Sequence, residues 1–249
     1  MRLIFLLVAA SFLSGCTAMP GLPNMSEFKH ASIKAVKDPN VWLPLIGAGL
    51  VVASDADNSI AKSQGEGGQG HLFGDPQGTS SDLYDLASLA FIVSEIAAPR
   101  ESFSSSARRA TADVGTVVFS MGLAEGLKQV THRKRPDKDN YQSFTSGHAT
   151  YLGTTTAIAR RNLRKTDMPQ WLRTPLNLGL YGTAIAGSWA RVEAGKHHPS
   201  DVLVGYALGS FVAKVVEYAF LTDDDGIFIS LAPMDNGGIL TVTIPLGGD

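Results

Sequence analysis

Cysteine is all but missing from this chain, with Cys16 the single one among 249 residues, so no disulfide within the chain can staple the fold. Charge of one sign is missing as well. Lysine and arginine total 21 against 23 aspartates and glutamates, a net charge of -2 at pH 7, which excludes a bulk electrostatic attraction to nucleic acid. Long apolar runs are scarce beyond the N-terminus. The longest stretch that is apolar and free of Asp, Glu, Lys and Arg covers residues 174–190, at the lower limit of the about 20 residues that cross a bilayer. With a mean hydropathy of +0.07, the chain is expected to form a soluble or surface-lying body and not a six-span membrane protein. At 44% hydrophobic and 18% charged residues, it can fill the core of one or two globular domains.

What is present begins with an export address. Met1 and Arg2 precede the apolar run 3–10, and Leu13-Ser14-Gly15-Cys16 follows, the layout of a signal and not of a folded element. Those last four residues resemble a bacterial lipobox, in which the signal is cut before the cysteine and the thiol is lipid-modified. Residues 1–15 are expected to be a lipoprotein signal peptide, with Cys16 the lipidated first mature residue. Thr17, in place of an aspartate, points the expectation to the periplasmic face of the outer membrane, where acyl chains hold the protein. Residues 16–40 read as a tether rich in Pro, Gly, Ser and Asn, 41–221 as a helical domain, and 222–249 as a C-terminal β-hairpin.

Apolar stretches at 41–54, 83–98, 110–130, 149–163, 175–190 and 199–220 have helical lengths and are separated by Gly, Pro and charged clusters, which predicts six helices. Residues 55–81 read as a long solvated loop. The small-residue rows Gly182-Ala186-Ala190 and Gly205-Gly209-Ala213 allow close helix approach. Near the C-terminus, β-branched segments at 227–234 and 239–245 flank Asp235-Asn236-Gly237-Gly238, a hairpin signal.

Three constellations in the second half of the helical region carry chemistry. Lys128, six residues, then Arg135-Pro136 puts two long cations near a helix end, and a planar guanidinium with a point-charge ammonium suits a tetrahedral anion. The plainer reading is a solvated basic turn over His132-Arg133-Lys134-Arg135. In Ser146-Gly147-His148, Ser146 is a plausible helix N-cap, Gly147 permits a sharp turn, and free backbone N–H groups there form a ready anion site. His148 could give a proton to a leaving oxygen. In Arg191, five residues, His197, three residues, Asp201, Asp201 lies in the first turn after Pro199 and can reach back to Nδ1–H of His197. That would leave Nε2 as a nucleophile. A metal site of His197, His198 and Asp201 is the rival reading, disfavoured because adjacent histidines seldom point the same way.

Together and in this order, the three motifs resemble those of the type 2 phosphatidic acid phosphatase and vanadium haloperoxidase superfamily, with all nine functional positions matched. The resemblance implies a mainly α fold, a six-helix bundle of the acid phosphatase/haloperoxidase type, here with the small C-terminal β-hairpin. It implies that Lys128, Arg135, Ser146, Gly147 and Arg191 bind phosphoryl oxygens, that His197 attacks phosphorus, that Asp201 orients His197, and that His148 protonates the leaving group. It implies no metal and no cofactor. Thr145 stands where the family usually has proline, and Ala190 where it often has serine. The expected activity is metal-independent hydrolysis of phosphomonoesters through a phosphohistidine, with a phosphorylated membrane lipid or a small phosphomonoester as substrate. The alternatives are a haloperoxidase with vanadate as cofactor and a non-catalytic phosphate-binding envelope lipoprotein. The partners expected are the substrate and the membrane reached through Cys16, with no nucleic acid.

Overall fold

Short polar side chains and prolines decide where the helices begin. The computed structural model describes residues 23–65, 71–99, 103–221, 228–234 and 237–243. Helix α1 (Met25–Val36) starts at a capping box in which Asn24 Oδ1 accepts from Glu27 N and Asn24 N donates to Glu27 Oε2, both at 2.9 Å. Asp38 caps α2 (Pro39–Ala53) and Asp75 caps α4 (Pro76–Ala97), each with proline in the first turn, where its missing N–H costs nothing. Between them lies α3 (Ala56–Gln64). The remaining helices are α5 (Phe103–Thr131), α6 (Gly147–Arg164), α7 (Gln170–Glu193) and α8 (Pro199–Phe220).

Helices α6 and α8 form the central pair, with α4 and α7 packed on one side, α5 across another, and α2 and α1 against α8. Glycine makes the central contact possible. A Cβ at Gly209 would lie 2.1 Å from the Thr150 carbonyl oxygen, one at Gly205 2.7 Å from that of Ser146, and one at Gly153 2.5 Å from that of Tyr206. The row Gly205-Gly209-Ala213 is therefore a helix seam, whereas Gly182, of the other row, has nothing within 4 Å. At the end of the bundle away from Ser146, Arg161 donates to both carboxylate oxygens of buried Asp113, and Asn162 donates to Ser94 and Glu95. This clamp ties α4, α5 and α6 together.

The interior is polar for a helical bundle: Thr150, Thr154, Thr155, Thr156, Arg161 and Asn162 are all buried on α6. The flanks are apolar instead. Trp42, Leu45, Ile46 and Leu50 on α2, Leu89 and Ile92 on α4, Phe119 on α5, and Trp171, Leu178 and Ile185 on α7 are exposed.

The expected six-helix bundle with a C-terminal β-hairpin is corrected. Among the described residues there are eight helices, and the helical body they form contains no strand or sheet. Two of the eight lie where loop composition had suggested none. Residues 25–36 of the expected tether are helical because the Asn24–Glu27 box closes their first turn, and α1 packs on α8. In the expected long loop, α3 is held by the buried carboxylate of Asp57, and α4 begins at its Asp75 cap, ahead of the apolar run. Helix α7 likewise begins ahead of Pro175. Phe228–Met234 (β1) and Gly237–Thr243 (β2) pair antiparallel, Leu231 opposite Leu240, as a ribbon of their own and not as a layer of the body. The expected turn residues 235–236, the signal peptide and Cys16 lie outside the described residues.

Candidate active site

The three motifs meet at one end of the bundle, where α5 and α7 finish and α6 and α8 start. Ser146 caps α6, its Oγ accepting from Ala149 N at 3.3 Å, and its own N–H donates to the Asp201 carbonyl at 3.1 Å. The starts of α6 and α8 are thus joined directly. Gly147 does not use left-handed backbone freedom, contrary to the expected sharp turn. Its missing side chain matters instead: Lys128 Nζ sits 3.4 Å from where a Cβ would be, so the ammonium covers the first turn of α6. Lys128 remains within α5 and is held on its outer side by Glu125 at 2.9 Å. The turn out of α7 does need a glycine. Gly195 has φ 68, a conformation in which a side chain is strained, and it directs the chain into His197.

Arg135 and Arg191 bring two guanidinium groups to the site. Both Nε atoms are buried and have no partner among the described residues, an arrangement that native interiors rarely leave without a ligand. Arg191 Nη1 is steered by Gln77 Oε1, 2.8 Å away at the start of α4. Burial, and then the charge of Arg135, push Arg191 down to about 10, so it stays cationic at neutral pH. Beside these cations lies His148, its ring 5.2 Å from that of Tyr84, which stacks on Tyr151 at 3.9 Å. Burial first, then the charges of Arg191, Lys128 and Arg135, push His148 down to about 4.

His197 is 3% exposed and its Nδ1 lies 2.7 Å from the Ser143 carbonyl oxygen. A carbonyl can only accept, so Nδ1 carries the hydrogen and Nε2 keeps its lone pair. Burial pushes His197 down to about 3; Arg191 and Arg135 add to this, while Asp201 and the Ser143 carbonyl oppose it. The expected direct bond from His197 to Asp201 is corrected: Asp201 Oδ2 is 4.0 Å from Nδ1. Its carboxylate instead takes the N–H of His198 at 2.8 Å, the Ser143 hydroxyl, and Arg133 Nη1 at 2.7 Å. Burial alone would push Asp201 up, but hydrogen bonds from His198 and Ser143, with the Arg133 charge, hold it below the usual carboxylate range. Asp201 therefore acts on His197 through Ser143, which it grips by the hydroxyl.

Arg133 was hidden in the basic turn. It bridges two buried carboxylates, reaching Asp57 Oδ2 at 2.6 Å as well as Asp201, and Ser200 donates to Asp57 through both its N–H and its hydroxyl. Sequence patterning missed Arg133, Asp57, Ser143, Ser200 and Gln77. Asp57 and Arg133 are 76 residues apart, and no local spacing marks such a pair. Glu193 adds a further support, accepting from the N–H groups of Leu72 and Phe73 and from Trp189 Nε1. That places exposed Leu72 at the same end of the bundle. Among the described residues, no three His, Cys, Asp or Glu side chains converge as metal ligands.

Comparison with known proteins agrees with this geometry. A sequence model described as the PAP2 superfamily matches residues 110–224. The chain is 30% identical over 133 residues to a lipid A 1-phosphatase of Rhizobium johnstonii, covering 47% of this chain and 50% of that one. It is 29% identical to a lipid A 1-phosphatase of Rhizobium etli, covering 47% and 52%. The chain thus spans about half the length of these curated relatives. Among solved structures, a transmembrane PAP2 type phosphatidylglycerolphosphate phosphatase from Bacillus subtilis superposes with a TM-score of 0.56 at 19% identity, covering 76% of this chain and 94% of that one; the likeness is one of fold. All three motifs, gathered at the ends of four helices, lie within the segment 110–224 that matches the PAP2 superfamily, and the chain is similar to that superfamily there.

Proposed function

We propose that this protein is a phosphatase that hydrolyses phosphomonoesters of membrane lipids. The observation that carries the reading is the pair of buried, unpartnered guanidinium nitrogens of Arg135 and Arg191, set around a histidine whose Nδ1 is fixed by the Ser143 carbonyl. In this reading Lys128, Arg135, Arg191 and the first-turn N–H groups of α6 hold the phosphoryl oxygens, so positioning and charge neutralisation provide most of the rate. His197 Nε2 forms a bond to phosphorus while the ester P–O bond breaks, and His148 delivers a proton to the departing oxygen. Water then attacks the phosphohistidine, giving its proton to His148 as the P–N bond breaks. The chemistry assigns no step to a metal or cofactor.

A lipid substrate is favoured by the many large apolar side chains exposed on α2, α4, α5 and α7, since exposed apolar surface beyond scattered single residues marks a contact with protein or membrane. Among the described residues one helix, α8, is long and apolar enough to cross a membrane, and half of its apolar window is buried inside the bundle. The signal-like N-terminus and Cys16 add a lipid anchor and a cell-envelope location, at the periplasmic face of the outer membrane. The names of the relatives point to phosphate on lipid A or phosphatidylglycerolphosphate as substrate chemistry.

The test is phosphate release by the full chain in neutral detergent, with EDTA, from phosphatidic acid and from p-nitrophenyl phosphate, beside His197→Ala. Turnover of the lipid that is lost in His197→Ala supports the reading; turnover that persists in the variant, or depends on added metal, overturns it. Labelled palmitate incorporated by the wild type and not by Cys16→Ser tests the anchor.

A further inference from the structure

The opposite end of the bundle holds a second basic pocket that the proposed reaction does not use. A cavity of about 220 Å³ is lined by Asn40, Arg160, Arg164, Asn177, Tyr181 and Lys214, with Asp38 at its side. Helix lengths separate it from the catalytic end. At 1.5 Å per residue, His148 to Arg160 along α6, Arg191 to Asn177 along α7 and Asp201 to Lys214 along α8 each span about 20 Å. Three helices give the same separation, so no single anion can reach both ends.

Arg160 is the anchor of the pocket. It is 4% exposed, its guanidinium stacks on the Tyr181 ring at 3.8 Å, its Nε donates to the Thr156 carbonyl at 3.2 Å, and its Nη1 donates to Asn40 Oδ1 at 3.3 Å. The Tyr206 hydroxyl lies beside it. These neighbours are all neutral, and no carboxylate among the described residues pairs with Arg160. A guanidinium has five N–H donors, and a charge buried without a counterion is costly. The other two cations are already shared out. Lys214 pairs with Asp38 at 3.4 Å and Glu217 at 3.0 Å, and Arg164 with Glu217 at 3.0 Å. Three cations against two carboxylates leave one positive charge in excess, and it is that of the buried arginine.

We propose that this pocket binds a phosphate group through the Arg160 fork, with Arg164 and Asn177 at the rim. A rigid, stacked guanidinium matches the oxygens of a tetrahedral anion, and amide donors complete such a shell. The phosphate can be free or can be the head group of a phospholipid, and the chemistry of recognition is shared. The site is a binding site only, since no histidine, cysteine or unpaired carboxylate lines it to act as nucleophile or base.

The test removes the catalytic-end anion site first. In the full chain carrying Lys128→Ala and Arg191→Ala, inorganic phosphate and, separately, dihexanoyl phosphatidylglycerol against dihexanoyl phosphatidylcholine are titrated by calorimetry in neutral detergent. Saturable 1:1 binding of phosphate, weakened about tenfold or more by Arg160→Gln, supports a free-phosphate site. Binding of the phosphatidylglycerol alone, weakened equally by Arg160→Gln, supports a head-group site. Should Arg160→Gln fail to fold, Arg164→Gln on the more exposed rim is expected to weaken the same binding. Absence of binding to both probes, or binding that neither substitution changes, overturns the proposal. Because the readout is binding at the far end, its failure leaves the phosphatase reading untouched, and loss of catalysis leaves this site untouched.

Discussion

His197 Nδ1 faces the carbonyl oxygen of Ser143 at 2.7 Å, while the carboxylate of Asp201 stands 4.0 Å away and holds the Ser143 hydroxyl instead. The carboxylate orients the histidine at one remove, so Asp201 and Ser143 act as one unit. Asp201→Asn keeps the shape but weakens the grip on Ser143 and the field that favours charge on His197. A fall in kcat of roughly 10- to 100-fold is expected, less than the about 10,000-fold seen when a carboxylate bonded directly to a catalytic histidine is made neutral. Ser143→Ala should lower kcat in the same direction, and the double variant should lose less than the product of the two single losses. Steady-state kinetics on p-nitrophenyl phosphate checks this, and fully multiplicative losses would separate the two residues.

The pH dependence follows from two buried imidazoles. Burial and the surrounding cations push His148 down to about 4, and burial pushes His197 down to about 3. The proposed first step needs His148 protonated and His197 neutral, and kcat/KM reports the free enzyme. Its alkaline limb is therefore expected in acid, near the His148 value and well below the ordinary histidine value of about 6.5. Bound phosphate adds negative charge beside His148 and raises it, so the alkaline limb of kcat should lie at higher pH than that of kcat/KM. A kcat/KM profile that holds level up to neutral pH counts against His148 as the acid.

Arg133 neutralises both Asp57 and Asp201, which are 4% and 0% exposed. Arg133→Ala leaves two buried carboxylates without their cation, and the expected loss of stability is about 3–5 kcal/mol. Arg133→Lys can satisfy only part of a fork that reaches Asp57, Ser200 and Asp201, so it should fall between wild type and alanine. Urea unfolding followed by circular dichroism measures the order.

How much of this was legible in advance differs between the site and the fold. Lys128, Ser146, His148, Arg191, His197 and Asp201 sit at short spacings around helix ends, where caps, prolines and local reach limit the geometry, and the structure brings them to one place. The direct His197–Asp201 contact was wrong because reach alone does not choose among competing donors, and the His198 N–H and Ser143 hydroxyl both compete for that carboxylate. Helices α1 and α3 were illegible for another reason. Helix α1 follows a Pro- and Gly-containing stretch and is set by its capping box and its packing on α8, and α3 is polar and held by a carboxylate paired 76 residues away. Helix length and apolar pattern located α5, α6 and α8 within a few residues of their C-terminal ends.

The glycine seam gives a paired contrast. A Cβ at Gly209 would meet the Thr150 carbonyl at 2.1 Å, whereas one at Gly182 meets nothing within 4 Å. Gly209→Ala must push α8 away from α6, and with it the Ser146 N–H bond to the Asp201 carbonyl, so it should lose about 1–3 kcal/mol of stability and lower turnover as well. Gly182→Ala, in an exposed helix interior, should gain about 0.5–1 kcal/mol. Thermal melts of the two variants, with activity assays alongside, test whether the close approach of α6 and α8 positions the site.

The buried clamp at the far end makes a prediction of opposite sign to that of the histidines. Burial first, then the neighbouring charge of Asp113, raise Glu95 to about 7, against its bonds from Asn162 and the charge of Arg161. A carboxyl whose folded value lies above its unfolded value of about 4.5 stabilises the fold most below that lower value, and its contribution is lost as pH rises through about 7. Glu95→Gln mimics the protonated form and keeps an acceptor for Asn162. Relative to wild type, its melting temperature should therefore be higher at pH 8 than at pH 5, with the difference shrinking as the wild-type carboxyl takes up its proton. A difference independent of pH would mean that Glu95 does not titrate between pH 5 and 8 in the folded protein, against the raised value. Asp113→Asn, by contrast, removes the carboxylate that Arg161 grips with both terminal nitrogens, and should cost about 3–5 kcal/mol at either pH.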